Sequence, residues 1–584
     1  MPTIKSRSPW VWLTVIAIAA LCLRIYQLSQ RTFYWDDLVI PARFRDAGFT
    51  DFFQSYDGHV MPGAIAIQVL ADAIAPLNFA IPASVIVVLT AATYGFFAAA
   101  LTRLLPQQES RDLRGLYTLT FVALSFSPFL MTASGWWSAA LNSLGWQLGF
   151  AVTLWCASIA VNSSHRLVWP SVVASIAVLC ALTLSEKSLS IVPLVAFTVW
   201  ITHRRINWLF WVGPVALSIA WAFVVFSNTT VFRSETPQNL MDFLPETLGK
   251  AVVPGMLGGP WVWERWTPSQ AFASPPTWLL ILAVVVAAIL VIGWVARRPR
   301  RGAELVVSLA FFVVLMWVLG NARTGPGAAD LLTRTLHYYA EWWTLSVLIL
   351  AAGTYRWPSS RRHLPHLRFI LAILLAVSST ITTVSWVNAW KDDPTGDYLA
   401  NLQSSLDEAQ EPILDQPVPL EVLTPLMHPY NTIYSVTGKE KEKENLTTRP
   451  QVIDAQGNVV PAAVLPAART EQGDAEQCGI RVQSGQWKIV KIDNPLPFGL
   501  WVWELNAVAS APGTTMTITT PNGLETAEQT RSRAVTVPVS TDLQPEWVSV
   551  PGGGGTIMVE VHGPDNNAHI CLGAGNIGPM VPQG

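Results

Sequence analysis

Charge is scarce in this sequence. Asp, Glu, Lys and Arg make up 13% of its 584 residues, 51% are hydrophobic, and the mean hydropathy is +0.37. That balance places most of the chain in a bilayer. The formal net charge is only −2, which provides no electrostatic footprint for nucleic acid or an anionic surface. Cysteine is scarce too, with five in all, and their spacing matches no metal-ligand pattern. There is no sequence repeat, and no low-complexity tract beyond Gly552 to Gly555. No small-residue cleavage site follows the first apolar run, Trp10 to Ile25, so that run reads as a retained transmembrane helix. Tryptophan, by contrast, is abundant. The 27 copies fit either interfacial belts or a sugar-stacking cavity.

Crossing a bilayer takes about 20 apolar residues. Eleven ranges qualify as candidate spans: 10–27, 80–104, 115–135, 139–161, 168–185, 188–202, 207–226, 276–296, 303–320, 339–355 and 368–389. Segment 62–77 is short and carries Asp72, and it reads as an external juxtamembrane helix. The basic clusters around Arg103, Arg204-Arg205, Arg297-Arg298 and Arg361-Arg362 then all fall in cytoplasmic turns. This predicts a multi-pass plasma-membrane protein with a cytoplasmic N-terminus and an extracytoplasmic C-terminal domain. Three external regions remain: 28–79, 227–275 and 321–341.

The division expected is a transmembrane domain over 1–390, an α/β connecting region over 391–475, and a mainly-β domain over 476–584. Segment 394–411 reads as one helix and PLEVLTPL (419–426) as a strand. From Gln486 onward, WKIVKI, LWVWELNAVAS, TTMTITT, RAVTVPVS and TIMVEVHG alternate between turn signals, as in a β-sandwich or jelly roll. Trp501 and Trp503 share one face of a strand and read as sandwich core. Trp261, Trp263 and Trp266 read as interfacial anchors. Cys22, Cys156 and Cys180 lie in apolar runs as packing residues. Cys478 and Cys571 lie in the polar region and pair as a disulfide if that region is outside the cell.

The most informative motif is Asp36-Asp37, in RTFYWDDLVIPARF just after the first apolar run. Neighbours in a helix do not share a face, so the two carboxylates have different tasks. One serves as a base and the other caps the helix or binds a metal. Asp36 precedes Leu-Val-Ile-Pro and reads as the cap, which favours Asp37 as base.

An acidic pair after the first span, the turn Tyr56-Asp57-Gly58-His59-Val60-Met61-Pro62, and Ser185-Glu186-Lys187 at the outer end of a span resemble the GT-C superfamily of membrane glycosyltransferases. The resemblance covers about the first 390 residues as architecture. This chain has Met61-Pro62 where a double proline is common, and Glu-Lys where Thr-Lys is common. The resemblance implies a polyprenyl-phosphate sugar donor and a cell-envelope glycan or glycolipid acceptor on the external face. Asp36 or Asp37 would take the acceptor proton. Asp57, His59, Lys187, Arg323, Arg334 and His337 are the candidate substrate and phosphate ligands. Asp36 is the candidate ligand if a divalent metal (Mg, Mn or Ca) serves the reaction. The rival readings are a lipid or glycan transporter or flippase, and a non-catalytic envelope assembly protein. A transporter usually carries repeats and mid-span charge.

Overall fold

The computed structural model describes residues 9–105, 111–163, 168–229, 240–296, 302–322, 331, 333–356, 366–474, 476, 478–521 and 526–583. The chain divides into two compact units, Met1–Asp393 and Pro394–Gly584.

The first unit is helical. Its opening elements are α1 (Pro9–Leu28), α2 (Asp36–Phe44), α3 (Pro62–Ile74), α4 (Ala80–Leu104), α5 (Arg111–Ser125), α6 (Pro128–Ser134), α7 (Trp137–Asn162), α8 (Trp169–Leu184), α9 (Ile191–His203) and α10 (Trp208–Asn228). Counted over the described residues alone, six helical segments are long and apolar enough to cross a membrane: Trp10–Leu28, Ala80–Leu104, Leu113–Ser134, Trp137–Asn162, Trp208–Asn228 and Leu367–Ala389. The other five expected ranges are helical too. Thr277–Ala296 and Gly302–Ala322 have 20 and 21 residues, and Trp169–Leu184 has 16. Ile191–His203 and Ala340–Arg356 have 13 and 17 residues. Segment 62–77 forms the 13-residue helix α3.

The range 115–135 is not one continuous helix. It breaks at Phe126-Ser127, where the Ser127 side chain accepts the Leu130 N–H at 3.3 Å and Pro128 opens α6. Breaking a helix inside a membrane frees carbonyls that lipid cannot satisfy. Here Trp343 Nε1 donates to Ala123 O at 2.7 Å and the Tyr94 hydroxyl to Ser125 O at 2.7 Å, and α1 with the turn after it adds donors to carbonyls from Ser127 onward. Arg24 reaches Ser127 O at 3.3 Å, Gln27 reaches Met131 O at 2.9 Å, and Arg31 reaches Gly135 O at 3.2 Å. Arg24 also donates to Gln27 Oε1 at 2.9 Å. Positions 24 and 27 share a face of α1, Arg31 follows in the turn beyond it, and 127, 131 and 135 repeat every four residues, so the two rows match. Gly135 has to be small, because a Cβ there would meet the Trp386 ring and Gln27 Nε2. Arg24 is therefore a buried charge within the first span, which apolar counting passes over.

The second unit carries the sheet. Strands Trp487–Ala509 and Gln544–His562 pair antiparallel along their length, with register shifts between Gly552 and Thr556. The nine-stranded sheet built on this pair buries Val490, Trp503, Leu505, Val548, Val550, Ile557, Val559 and Val561 in one cluster. Residues from both sides of the shift share that cluster, so the strands bend there. Trp503 is fully buried and Trp501 packs beside the core. Cys478 and Cys571 are bonded, with Cα atoms 5.5 Å apart. Segment 394–411 contains the helix Thr395–Glu408.

PLEVLTPL is not a strand. Pro419 O accepts from Val422 N and Leu423 N at 2.9 and 3.1 Å, and a 3-10 turn follows at Pro425–Met427. Val422 and Leu423 are buried side by side, so the run is apolar for packing, and its prolines remove ladder donors.

Gln27→Leu should leave Arg24 Nη1 and Met131 O without their partners in a buried place. The expected loss is about 2–4 kcal/mol, from two unsatisfied groups at about 1–3 kcal/mol each. It would be read as a lower thermal midpoint in detergent, against an unchanged midpoint for the lipid-facing control Ile25→Val. A midpoint equal to the parent would show that the ladder contributes nothing.

Candidate active site

The chain leaves α1 at Leu28 and turns into α2 through Trp35, whose φ of 46° lies in the left-handed region. This turn separates the two acids. Asp37 is 1% exposed. Its Oδ1 accepts the Ser138 N–H at 2.9 Å, and its Oδ2 accepts the Tyr34 N–H at 3.0 Å. Ser138 lies in the first turn of α7, whose opening N–H groups have no helical acceptor. Asp37 thus caps a 26-residue helix from a hundred residues away, at the end where a negative charge is favoured. Burial pushes its carboxyl up to about 8, against the pull of the Ser138 and Tyr34 N–H groups.

Asp36 is different. It is half-buried, and its Oδ1 accepts the Tyr56 hydroxyl at 2.8 Å. α2 has no side-chain cap, so Asp36 does not cap it. The capping role expected of Asp36 falls to Asp37, on another helix, and Asp36 is the more accessible of the two acids.

The turn at Tyr56 to His59 extends the site. Tyr56 and His59 exchange backbone hydrogen bonds at 2.9 and 2.8 Å, with Asp57 (φ 48°) and Gly58 (φ 83°) between them. An Asp-Gly pair with both φ positive suits a two-residue hairpin turn. Asp57 therefore serves as an exposed turn residue. The turn presents Tyr56 to Asp36 and His59 to Glu186, with Nδ1 to Oε1 at 2.6 Å. Burial alone would raise Glu186, but the adjacent His59 imidazole holds its carboxyl below the ordinary value. Two further contacts fix the frame. Arg45 clamps Asp72 of α3 with two bonds at 3.1 and 2.9 Å. Gly63 leaves Thr183 of α8 only 2.7 Å from where a Cβ would stand.

Lys187, next to Glu186, lies 3.9 Å from Glu341 and 5.8 Å from the centre of the Tyr338 ring. Glu341 is 2% exposed and makes no side-chain hydrogen bond among the described residues. Its charge therefore faces the lysine.

Arg334 and His337 do not join as free ligands. Arg334 is buried and tied to Glu264 at 2.7 Å and to Ala273 O at 3.0 Å, so it clasps the small hairpin of Trp263–Glu264 and Phe272–Ala273. His337 is buried, with Trp136 at 5.8 Å and Tyr338 at 4.3 Å between ring centres. It lines a small cavity with Tyr34, Trp136, Trp386 and Trp390. Arg323 lies outside the described residues. Trp261 and Trp263, expected as interfacial anchors, are tied to the protein. Their indole N–H groups bond Ser378 at 2.7 Å and Ser385 at 3.2 Å on the helix Leu367–Ala389. Trp266 stacks on Phe272.

Sequence reading missed a second charged group. Arg31 and Arg265 lie over the Trp390 ring at 3.7 and 4.4 Å and approach Asp393 at 3.5 and 3.9 Å. Burial lowers Arg31 to about 10, so it is still a cation at neutral pH. The signal available was Arg31 itself, five residues before the acid pair. Its partners come from far along the chain.

A divalent cation of the Mg or Ca type takes about six oxygen ligands. Among the described residues no three His, Cys, Asp or Glu side chains converge as a metal site. Both Asp37 oxygens are taken by N–H groups, and an Asp36 oxygen accepts from the Tyr56 hydroxyl.

No protein-family model matches the sequence, and no curated protein does. Several solved structures are similar to this chain. One is the arabinofuranosyltransferase AftD from Mycobacteria, at 12% identity and a TM-score of 0.39, over 98% of this chain and 60% of that one. The chain thus spans well under two thirds of the AftD length. Another is ArnT from Cupriavidus metallidurans bound to undecaprenyl phosphate, at 13% identity and a TM-score of 0.41, over 71% and 84% of the two chains. The archaeal oligosaccharyltransferase AglB from Archaeoglobus fulgidus, in complex with an inhibitory peptide and a dolichol-phosphate, follows at 10% and 0.33, over 68% and 58%. Scores below one half assign no activity by themselves.

Asp37→Asn should lower the thermal midpoint, because an amide accepts from only one of the two N–H donors. The expected cost is about 1–3 kcal/mol. The parent should also lose stability as pH rises. The folded carboxyl keeps its proton to about 8, while an unfolded aspartate releases it near 3.9. The Asp37 contribution is therefore complete below about pH 4 and lost as pH passes through about 8. Midpoints measured from pH 5 to 9 should fall in the parent and flatten in the variant.

Proposed function

We propose that this chain is a membrane glycosyltransferase of the GT-C type. It transfers a sugar from a polyprenyl-phosphate donor to a cell-envelope glycan or glycolipid acceptor at the external face of the plasma membrane. The observation that carries this reading is the inequality of two adjacent acids. Asp37 is consumed in holding α7, and its neighbour Asp36 is half-buried on the hydroxyl of Tyr56, whose turn also presents His59 to Glu186, the residue before Lys187. Burial pushes Asp37 up to about 8, so at neutral pH it keeps its proton.

In this reading Asp36 is the catalytic base. The acceptor oxygen forms a bond to the anomeric carbon as its proton passes to an Asp36 oxygen. The bond from the anomeric carbon to the phosphate oxygen breaks, and polyprenyl phosphate leaves with that electron pair. The Asp36 charge also stabilises the oxocarbenium character of the transition state. Tyr56 holds Asp36 in place through its hydroxyl. Lys187 is the candidate cation for the phosphate, held by Glu341 and the Tyr338 face, with His59 beside it on Glu186. The apolar helices that flank this region support a site at the edge of a bilayer, where a lipid carrier presents its headgroup. The basic turns support an inside N-terminus. The Cys478–Cys571 bond supports an oxidising compartment for the second unit.

Asp36→Asn should reduce sugar transfer by about 10²- to 10⁴-fold, the usual contribution of a general base. The variant should still insert and keep the parent's thermal midpoint. Transfer from a radiolabelled polyprenyl-phosphate sugar in membranes is the measurement. A flippase or scaffold would keep its activity after this change, and full activity in the variant would sink the enzymatic reading. Lys187→Met should raise the donor KM about tenfold or more while changing kcat less, as expected for lost ground-state binding. An unchanged donor KM would remove Lys187 from the site.

A further inference from the structure

The second unit has a groove that the transfer reaction does not use. It has a volume of about 510 Å³, within the range of small-molecule sites at about 300–1,000 Å³. One wall comes from the irregular segment that holds Asp415, His428 and Asn445. The other comes from the bent strands at Phe498 and Gly552, with Arg533 beside them. The strand bend makes the groove. Gly552 has φ 115°, and a Cβ there would collide with Thr520 Oγ1 and Arg533 Nη1. The glycine leaves room for the Arg533 guanidinium to lie 4.8 Å over the Phe498 ring. His428 packs edge-on against the same ring at 5.5 Å. The Phe498 ring is held from two sides and still 51% exposed.

The polar groups of the groove point to a ligand. The Asp415 side chain is only 6% exposed. Its Oδ2 holds Lys443 at 3.0 Å, while its Oδ1 is buried with no hydrogen-bond partner. Asn445 Oδ1 is buried and unpartnered in the same way. Buried acceptors without donors are costly, and a ligand that brings hydroxyl donors relieves them. Formal charge in the groove balances, with Arg533 and Lys443 against Asp415 and Glu440. Burial, with Arg533 nearby, pushes the His428 imidazole below its ordinary value, so it is neutral at pH 7 and offers one donor and one acceptor. A charge-balanced groove with a held aromatic face and waiting acceptors suits a neutral molecule rich in hydroxyls.

We infer that this groove is a binding site for a neutral oligosaccharide, with a sugar ring on the Phe498 face and its hydroxyls donating to Asp415 Oδ1 and Asn445 Oδ1. The site is separate from the acid pair and does not depend on the first unit being a transferase.

The test uses the full chain in detergent, carrying Asp36→Asn so that the acid pair is altered in every sample. Mannotriose, arabinotriose and cellotriose are titrated by calorimetry, with trigalacturonate as an acidic comparison. At least one neutral trisaccharide should bind saturably. Phe498→Ala should weaken it about tenfold through loss of the stacking face. Asn445→Ala should weaken it several-fold, and it gives a second reading if the Phe498 variant is unstable. The inference is overturned if none of the three neutral sugars binds, if both variants bind as the parent does, or if trigalacturonate binds more tightly than all of them. Transfer activity of the unmodified chain is measured separately, so failure of the groove and failure of the acid pair remain distinguishable.

Discussion

The site region depends on one carboxylate placed where a helix begins. Asp37 joins the Tyr34 N–H, on the loop leaving α1, to the Ser138 N–H, at the start of α7. Both donors belong to backbone that would otherwise be buried without an acceptor. This single side chain therefore settles the angle at which the chain leaves the first helix. It also settles where Asp36 stands, because adjacent helical residues are fixed together. The cost is a carboxyl group held out of water, and the environment answers with two N–H groups and the positive end of a long helix.

A second constraint works at the other end of the same loop. The two-residue turn at Asp57-Gly58 sets Tyr56 and His59 opposite each other, so their side chains are placed as a unit. One reaches Asp36 and the other reaches Glu186, 127 residues beyond His59. The turn thus bridges α2 to the segment between α8 and α9. Arg45 on Asp72 and Gly63 against Thr183 keep α3 from drifting away from that bridge. The polar residues are held by neighbours that are themselves held, which is how a site on loops acquires defined geometry.

Much of the helical unit was legible because crossing a bilayer demands length, and all eleven apolar ranges are helical. The break before Pro128 was written in Ser127-Pro128, a helix-start signal inside an apolar run. The strands after Gln486 were legible because alternation has a period that a half-buried sheet requires. PLEVLTPL misled for the opposite reason: apolar residues between prolines can be buried in a turn as well as in a strand. The roles of Asp36 and Asp37 were not legible as a division of labour. Residue type and local spacing treat the two alike, and what separates them is Ser138, 101 residues beyond Asp37. Arg31, Arg265 and Asp393 escaped notice for the same reason, since Trp390 gathers them only in three dimensions. The roles expected of Arg334 and of Trp261 and Trp263 gave way to partners that no local pattern announces.

The row of donors on α1 bears on how the protein is made. Arg24 and Gln27 find their acceptors at Ser127 and Met131, 103 and 104 residues later in the chain. When α1 leaves the ribosome those carbonyls do not yet exist, and lipid offers no substitute. The first helix therefore enters the membrane incomplete. It has to be sheltered, or kept near the headgroups, until α6 is synthesised and docks against it. Biogenesis of this unit is ordered by that delay, with the earliest helix waiting on a segment made about a hundred residues later.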